Sequence, residues 1–373
     1  MKITDLTATL FEWKDVPKVS YGGRNGLGEP SELALLEIHT DEGLVGRTLL
    51  GSSIRSARLD IDSLIRVVRP ALIGANPLAI EQCWVRMRKT YRSTTPRILG
   101  TVDVALWDIA GQAAGLPLST MFGGARTSIP AYASSPTHNE VDSFLREYDR
   151  IVEEGYRGYK VHPPADAGTC IRICRALRER AGPGFPLMLD ASSLFDFYDA
   201  RRIVNALQDL DFDWIEDPLP EHDINNYLRL REGNKVPLMA TEYSEGGLCG
   251  FIPWLTERAT DYLRGDVLVK GGLTGLLKAA HLAEAFGLNL EIHHGGNSAA
   301  NIAQLHLACG ISNTAWFEVL LPNEAQQLAV LNDIHIDRDG HMSPPDGPGT
   351  GIEYDWDYIR RNRTETLGQG RLS

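Results

Sequence analysis

The sequence predicts an α/β protein built around a barrel of eight parallel strands, with an α+β unit in front of it. Three short apolar runs end in an acid and are followed by helical sequence, and the acids Asp190, Glu216 and Glu242 are equally spaced. Their spacing matches the roughly 25 residues per strand–helix unit in a barrel of ~250 residues. Candidate strands begin near Ile129, Tyr159, Leu187, Trp214, Leu238, Val267, Leu290 and Phe317.

Composition narrows the possible partners and compartment. The chain has 373 residues, 43% of them hydrophobic, and a net charge of -12, which argues against nucleic acid or an anionic membrane surface as a partner. The five cysteines are scattered, which indicates reduced thiols in a cytoplasmic protein. We expect neither a signal peptide nor a membrane span, because no apolar run approaches ~18 residues.

The first unit begins with strands predicted over residues 2–12 and 32–50, the second containing a hairpin turn at 41–43. A glycine-rich loop over residues 21–30 lies between them. This loop is either a plain flexible connector or a mobile lid that closes over a ligand. In the second case Tyr21 and Arg24 bind substrate, with the arginine meeting a distal carboxylate or hydroxyls.

Helical patterns follow over residues 56–68, 77–91 and 100–115, and Gly123 and Gly124 indicate a boundary. We therefore expect an α+β capping domain over 1–125 and the barrel over 126–330. The segment 331–373 is rich in turn-forming residues, and we expect this tail to pack back on the first domain.

The three equally spaced acids predict a metal site. Strand ends of a parallel barrel meet at one mouth, so the three carboxylates should converge there. They would repel each other without a hard cation, and oxygen-only ligation suits Mg²⁺. The alternative is three unrelated surface acids, since most Asp and Glu side chains are exposed.

Other polar residues are predicted at the same mouth. Lys160 and His162 share one face of the second strand, because residues two apart on a strand point the same way. Asp266 on the sixth strand can hold the imidazole of His293 on the seventh, and Glu318 lies on the eighth. Each feature also has a structural explanation, a surface lysine beside a structural histidine or a half-buried His–Asp pair.

This constellation suits removal of a proton α to a carboxylate. The enediolate that results needs a divalent metal, and two histidines on opposite faces of a substrate can remove and return protons. Lys160 would stabilise negative charge on the substrate. Glu318 would hydrogen-bond a developing carboxylate oxygen if it carries a proton.

These residues resemble the enolase superfamily, specifically its mandelate racemase subgroup. The resemblance rests on residues 101–111, 121–124, 189–190, 214–218, 241–242, 269–275 and 347–353. It implies a modified (β/α)7β TIM-type barrel under an α+β cap, with Mg²⁺ on Asp190, Glu216 and Glu242. Asp266 and His293 look like the subgroup's His–Asp dyad, and Glu318 like its electrophilic acid. Lys160 and His162 form Lys-x-His, where many members have Lys-x-Lys.

The resemblance implies a Mg²⁺-dependent lyase that dehydrates an acid sugar to a 2-keto-3-deoxy acid, with His162 and His293 as the acid/base pair. Both aldonates and aldarates are open as substrates. A racemase, epimerase or lactone cycloisomerase would use the same enediolate. A third interpretation is a metal-containing binding protein without catalysis. We also expect a homo-oligomer with an even number of subunits.

Overall fold

The computed structural model describes residues 1–25 and 31–368, the side chains of residues 24 and 25 excepted. The strands in these ranges are β1 (Ile3–Trp13), β2 (Ser20–Tyr21), β3 (Arg24–Asn25), β4 (Ser31–Thr40), β5 (Val45–Leu50), β6 (Ile129–Ser134), β7 (Tyr159–Val161), β8 (Leu187–Asp190), β9 (Trp214–Glu216), β10 (Leu238–Ala240), β11 (Tyr262–Gly265), β12 (Asn289–Ile292), β13 (Phe317–Leu320), β14 (His341–Met342) and β15 (Arg363–Leu367).

The α-helices in the same ranges are α1 (Ile61–Ser63), α2 (Arg69–Leu72), α3 (Ile80–Arg88), α4 (Pro96–Ala114), α5 (Leu118–Met121), α6 (Val141–Glu153), α7 (Ala167–Ala181), α8 (Phe197–Gln208), α9 (Ile224–Arg231), α10 (Ile252–Thr256), α11 (Gly272–Ala285), α12 (Ser298–Gly310) and α13 (Trp356–Arg361). None of the helices in the described ranges combines the length and apolar composition that a membrane crossing requires.

The strands β6 to β13 form a closed parallel barrel. Each pairs with the next in chain order, and β13 pairs with β6 to close the ring. The strands are buried along their whole length apart from partly exposed ends, as expected for a sheet covered by helices on its outer face. Helices α6 to α12 connect them, so the predicted (β/α)7β barrel is confirmed.

The sixth barrel strand lies earlier than the sequence suggested. It spans Tyr262–Gly265, whereas the prediction placed its start near Val267. Asp266 ends the strand, because its carboxylate accepts the backbone N–H of Leu268 and its carbonyl accepts that of Lys270. The apolar run at 267–269 is therefore a turn, and it is buried mainly because the cap packs on it.

The cap is an antiparallel sheet in the order β15-β1-β4-β5, with helices α3 and α4 packed on it. β15 comes from the end of the chain and pairs with β1, so the C-terminal tail completes the cap sheet. On the way there, β14 pairs with the barrel strand β6. The predicted helix over 56–68 is less regular than expected, since a 3₁₀ turn precedes α1 and a π-helical segment (Leu64–Val68) follows it.

Cap and barrel meet along helices α4 and α11, a contact that we call the cap–barrel seam. Asp103 on α4 is fully buried and accepts hydrogen bonds from the backbone N–H and the hydroxyl of Thr274, at 2.8 and 2.7 Å. Gly272 has a φ of +90°, and a Cβ there would lie 2.3 Å from Asp103 Oδ2. This close approach fixes the cap above the carboxyl ends of the barrel strands.

Candidate active site at the barrel mouth

A cavity lies between the cap and the carboxyl ends of the barrel strands. It encloses about 760 Å³, including its opening to solvent. The barrel lines it with a set of acids and histidines: His162, Asp190, Asp217, Glu242, Asp266 and His293. The cap contributes Tyr21, residues 52–54 and Arg97. Most of the predicted site residues thus surround one cavity.

The backbone is strained next to each predicted metal ligand. Ser192 and Ser193 follow Asp190 with φ values of 48° and 60°, Asp217 follows Glu216 with 42°, and Thr241 precedes Glu242 with 94°. Positive φ is unfavourable for residues with a Cβ and costs roughly 1–3 kcal/mol each. Such strain gathers at functional sites, and here it marks the ends of the three strands that carry the predicted ligands.

His293 forms the predicted pair with Asp266. Its Nδ1 lies 2.8 Å from Asp266 Oδ2, and its Nε2 lies 3.7 Å from Glu242 Oε1. Burial alone would lower the pKa of His293, but the charge of Glu242 and the hydrogen bond to Asp266 raise that pKa to about 9. The imidazole is therefore protonated at neutral pH and can act as an acid.

His162 is oriented by a backbone carbonyl. Its Nδ1 lies 2.7 Å from the carbonyl oxygen of Ser135, which can only accept, so Nδ1 carries a proton and donates it there. Nε2 faces the cavity, 3.0 Å from Asp190 Oδ2. In the neutral ring, this Nε2 is unprotonated and can accept a proton. The second strand therefore presents an imidazole nitrogen to the cavity although it carries Lys-x-His.

A layer of four charged side chains lies beneath the cavity, outside its lining. We call it the ionic cluster; it consists of Lys160, Glu216, Arg264 and Glu318, each with 0% exposure. Lys160 Nζ lies 2.5 Å from Glu216 Oε2 and 2.7 Å from Glu318 Oε1. Arg264 Nε lies 2.8 Å from Glu216 Oε1, and its guanidinium also donates to Glu318. Two cations and two anions balance there.

The ionic cluster bears on two predicted roles. Lys160 was expected to stabilise charge on the substrate, and the structure places it among carboxylates. Glu318 was expected to hydrogen-bond a carboxylate oxygen of the substrate on the condition that it carries a proton. Burial alone would raise the pKa of Glu318, but Arg264 and Lys160 outweigh that effect and hold the pKa well below its usual range. Glu318 is ionised, so it anchors the two cations and cannot donate a hydrogen bond.

Arg264 was missed by the sequence analysis. It points into the barrel because it lies two residues before Asp266 on the same face of β11, and that position could have been identified from the sequence. The prediction placed the start of the sixth strand near Val267, so the predicted strand did not include this arginine. A charged residue inside an otherwise apolar strand was the signal that could have found it.

The three predicted Mg²⁺ ligands are all carboxylates, which suits the ion, but only two of them line the cavity. Asp190 and Glu242 line the cavity, as oxygen ligands of a hard cation should. Glu216 does not, because each of its oxygens contacts a cation of the ionic cluster. Within residues 1–25 and 31–368, no three His, Cys, Asp or Glu side chains are arranged to hold a metal ion. Three-carboxylate ligation requires Glu216 to exchange those cations for the metal.

The glycine-rich segment forms a hairpin over the mouth. β2 and β3 pair through a turn at Gly22 and Gly23, whose φ values of 56° and 72° suit glycine. A Cβ on Gly22 would lie 2.1 Å from Ser192 Cβ, so the turn packs directly on the loop after Asp190. The side chain of Arg24 and residues 26–30 lie outside the described part of the chain.

Tyr21 reaches the cavity through its ring. The ring packs edge-on against His162 with centroids 5.6 Å apart. Its hydroxyl donates to the carbonyl of Leu321 at 2.7 Å and accepts from Gln326 at 3.1 Å. The hydroxyl is therefore occupied by protein groups. The contact of Tyr21 with the site is the packing of its ring against His162.

Arg97, at the start of α4, is a second cavity residue that the sequence analysis missed. Among the described residues it is the one lysine or arginine that lines this cavity, and it takes part in none of the ion pairs between them. Nothing in the sequence marks it, because only the docking of the cap brings the start of α4 over the barrel.

The fold and the site together define a capped (β/α)7β barrel with acids and two histidines at its mouth. Residues 25–123 match the mandelate racemase / muconate lactonizing enzyme N-terminal domain, and residues 143–358 match the enolase C-terminal domain-like family. The chain therefore belongs to the mandelate racemase / muconate lactonizing enzyme family of the enolase superfamily, as its motifs predicted.

Relatives of known name fall into more than one reaction class. Arabinonate dehydratase from Saccharolobus solfataricus is 28% identical over 87% of this chain and 89% of its own length. D-galactarolactone cycloisomerase from Agrobacterium fabrum is 28% identical over 97% of this chain and 99% of its own. The crystal structure of D-glucarate dehydratase from Agrobacterium tumefaciens complexed with magnesium superposes with a TM-score of 0.86 at 29% identity, covering 98% and 100% of the chains.

Proposed function

We propose that this protein is a Mg²⁺-dependent dehydratase of an acid sugar, an aldonate or an aldarate. The observation that carries the proposal is the pair of histidines that line one cavity, each with its Nδ1 held by a protein oxygen. His162 presents an unprotonated Nε2 when neutral, and His293 is held as an imidazolium by Asp266 and Glu242. Dehydration needs one base and one acid at once.

In the proposed mechanism, Nε2 of His162 accepts the proton α to the substrate carboxylate. The electron pair of that C–H bond forms a carbon–carbon double bond as the bond to the β-hydroxyl breaks. His293 donates its proton to the departing hydroxyl, which leaves as water, and Asp266 steadies the ring throughout. The enol that remains tautomerises to a 2-keto-3-deoxy acid.

The chemistry of the metal enters at one point. When bound by Asp190, Glu216 and Glu242, Mg²⁺ would neutralise the negative charge that develops on the substrate carboxylate. This dependence is supported by the oxygen donors at the mouth and by the magnesium complex of the D-glucarate dehydratase relative.

A second candidate function is cycloisomerisation of an acid-sugar lactone. It is favoured by the cycloisomerase relative, whose match spans 97% of this chain. The same base would remove an α-proton, but no water would be lost, because the leaving group stays within the product.

The experiment is to incubate an acid-sugar and lactone library with the protein and Mg²⁺ in D₂O and to follow it by mass spectrometry. Loss of one water from an aldonate or aldarate, abolished by EDTA, is the expected result. Ring opening of a lactone at constant mass apart from deuterium would favour the cycloisomerase. No turnover of any compound by wild-type protein would leave the family intact and remove the proposed activity.

A further inference from the structure

Arg264 has a set of contacts that the proposed mechanism does not use. Its side chain starts from β11 and is completely buried inside the barrel. One guanidinium nitrogen donates to the carbonyl of Ile292 at 3.2 Å and to the hydroxyl of Tyr132 at 3.3 Å. The others contact Glu216 and Glu318. The arginine is thus fixed by four partners from four strands.

Glu216 is the predicted metal ligand most affected by this arrangement. Oε1 lies 2.8 Å from Arg264 Nε, and Oε2 lies 2.5 Å from Lys160 Nζ. When each oxygen of a carboxylate contacts a cation, its negative charge is already balanced. Such a carboxylate gains less free energy from binding a metal than an unpaired carboxylate does. Asp190 and Glu242 differ in that both line the cavity, although Asp190 Oδ2 also lies 3.2 Å from Lys160 Nζ.

An arginine balances the charge of Glu216 at every pH at which the protein is folded. A lysine can lose its proton when a metal approaches, but a guanidinium stays charged at any pH a protein survives. A divalent ion entering beside Glu216 therefore meets a fixed like charge on the same carboxylate. Repulsion between close charges in a poorly solvated site amounts to several kcal/mol before relaxation.

We propose that Arg264 is a positioning residue for the metal centre, which competes with Mg²⁺ for Glu216 and weakens metal binding. The inference rests on the proposed function, because it takes Asp190, Glu216 and Glu242 as the ligand set. It goes beyond that function in one respect. Binding of Mg²⁺ by Glu216 would require this carboxylate to give up its contact with Arg264 Nε.

The test is direct titration of Mg²⁺ into metal-stripped wild type and Arg264→Gln by isothermal calorimetry. We expect the variant to bind Mg²⁺ about tenfold more tightly, because one fixed like charge is gone. The matched control is Arg178→Gln, since Arg178 donates to four backbone carbonyls on the outside of the barrel and contacts no acid there. Its Mg²⁺ affinity should equal that of the wild type.

A second measurement keeps the proposal testable if Arg264→Gln folds poorly. The double variant Arg264→Gln/Glu318→Gln removes one charge of each sign and leaves Lys160 balanced against Glu216. It should also bind Mg²⁺ more tightly than wild type, and Mg²⁺ should raise its Tm by more. Equal or weaker binding in whichever variant folds overturns the inference.

The outcomes separate this inference from the proposed function. If wild type dehydrates an acid sugar but the variants bind Mg²⁺ no better, only the role of Arg264 fails. If the folded variants bind more tightly but wild type turns over no compound, the role of Arg264 stands and the activity fails. If no protein binds Mg²⁺, the metal dependence and the inference are both wrong.

Discussion

Buried carboxylates occur in two regions of this protein, the cap–barrel seam and the barrel interior beneath the mouth. At the seam, Asp103 is bonded by neutral donors on Thr274, and burial raises its pKa to about 7. In the ionic cluster, Glu318 is equally buried, but Lys160 and Arg264 hold its pKa below the usual range. Residues of the same chemical type at the same depth thus differ in charge because of their partners.

The difference separates structural acids from functional ones. A carboxyl group served by hydroxyl and amide donors stays bonded in either protonation state, so it can serve as a fixed joint. A carboxylate held by cations keeps its charge and can exchange one cation for another. Burial by itself therefore does not identify a functional acid, whereas the charge of its partners does.

The strongest test of this comparison pairs a histidine that lines the cavity with one that is buried outside it. His293→Asn should lower kcat by about 10³-fold or more, because the acid of the proposed mechanism is lost. His306→Asn should leave kcat unchanged and lower Tm. His306 is buried on α12, where its Nδ1 accepts from the N–H of Ser119 and its Nε2 donates to the carbonyl of Thr350. If both variants lose the same kcat per folded molecule, the distinction between a functional and a structural histidine is wrong.

The second test uses the pH dependence of stability at Asp103. Its pKa is about 7 in the folded protein and near 3.8 when unfolded, so the folded state binds more protons between these values. Stability from this group is therefore complete below about pH 4 and falls as pH rises through 7, by about 4 kcal/mol in all. Asp103→Asn should lack this fall. The measurement is the Tm of both proteins from pH 4 to 8; parallel curves would contradict it.

A third test concerns Arg97, the cavity cation without an ion-pair partner among those described. Arg97→Met should raise KM about tenfold for aldarates, whose second carboxylate it would bind, and much less for aldonates. The control is Arg66→Met, because Arg66 pairs with Asp62 on the exposed surface of the cap. An equal rise in KM for aldonates and aldarates would show that Arg97 has a structural role instead.

The smallest expected effect is that of Tyr21→Phe. Removing the hydroxyl eliminates the bonds to Leu321 and Gln326, which should cost about 1 kcal/mol of stability. The ring would still pack against His162, so kcat/KM should change by no more than about threefold. Thermal unfolding checks the predicted loss of stability, and steady-state kinetics check the predicted change in kcat/KM. A hundredfold loss of kcat/KM would show that the hydroxyl binds substrate.

Much of the fold and of the site could be predicted from the sequence. The regular alternation of apolar runs and helical stretches determined the barrel, because a parallel strand buried on both faces must be apolar throughout. It also placed Asp190, Glu242, Asp266 and His293 at one mouth, since strand ends in such a barrel are equivalent positions. The predicted position of the sixth strand was wrong because an apolar turn buried by the cap has the sequence pattern of a strand.

The sequence by itself determined the barrel, its cap and the identity of the acids and histidines at the strand ends. Only the tertiary structure decided which of these acids face the cavity and which face cations. That choice depends on contacts between distant strands, such as Arg264 with Glu216 and Glu318. It also depends on the docking of the cap, which brings Arg97 over the mouth. Charge partners are set by three-dimensional proximity, which local sequence patterns do not encode.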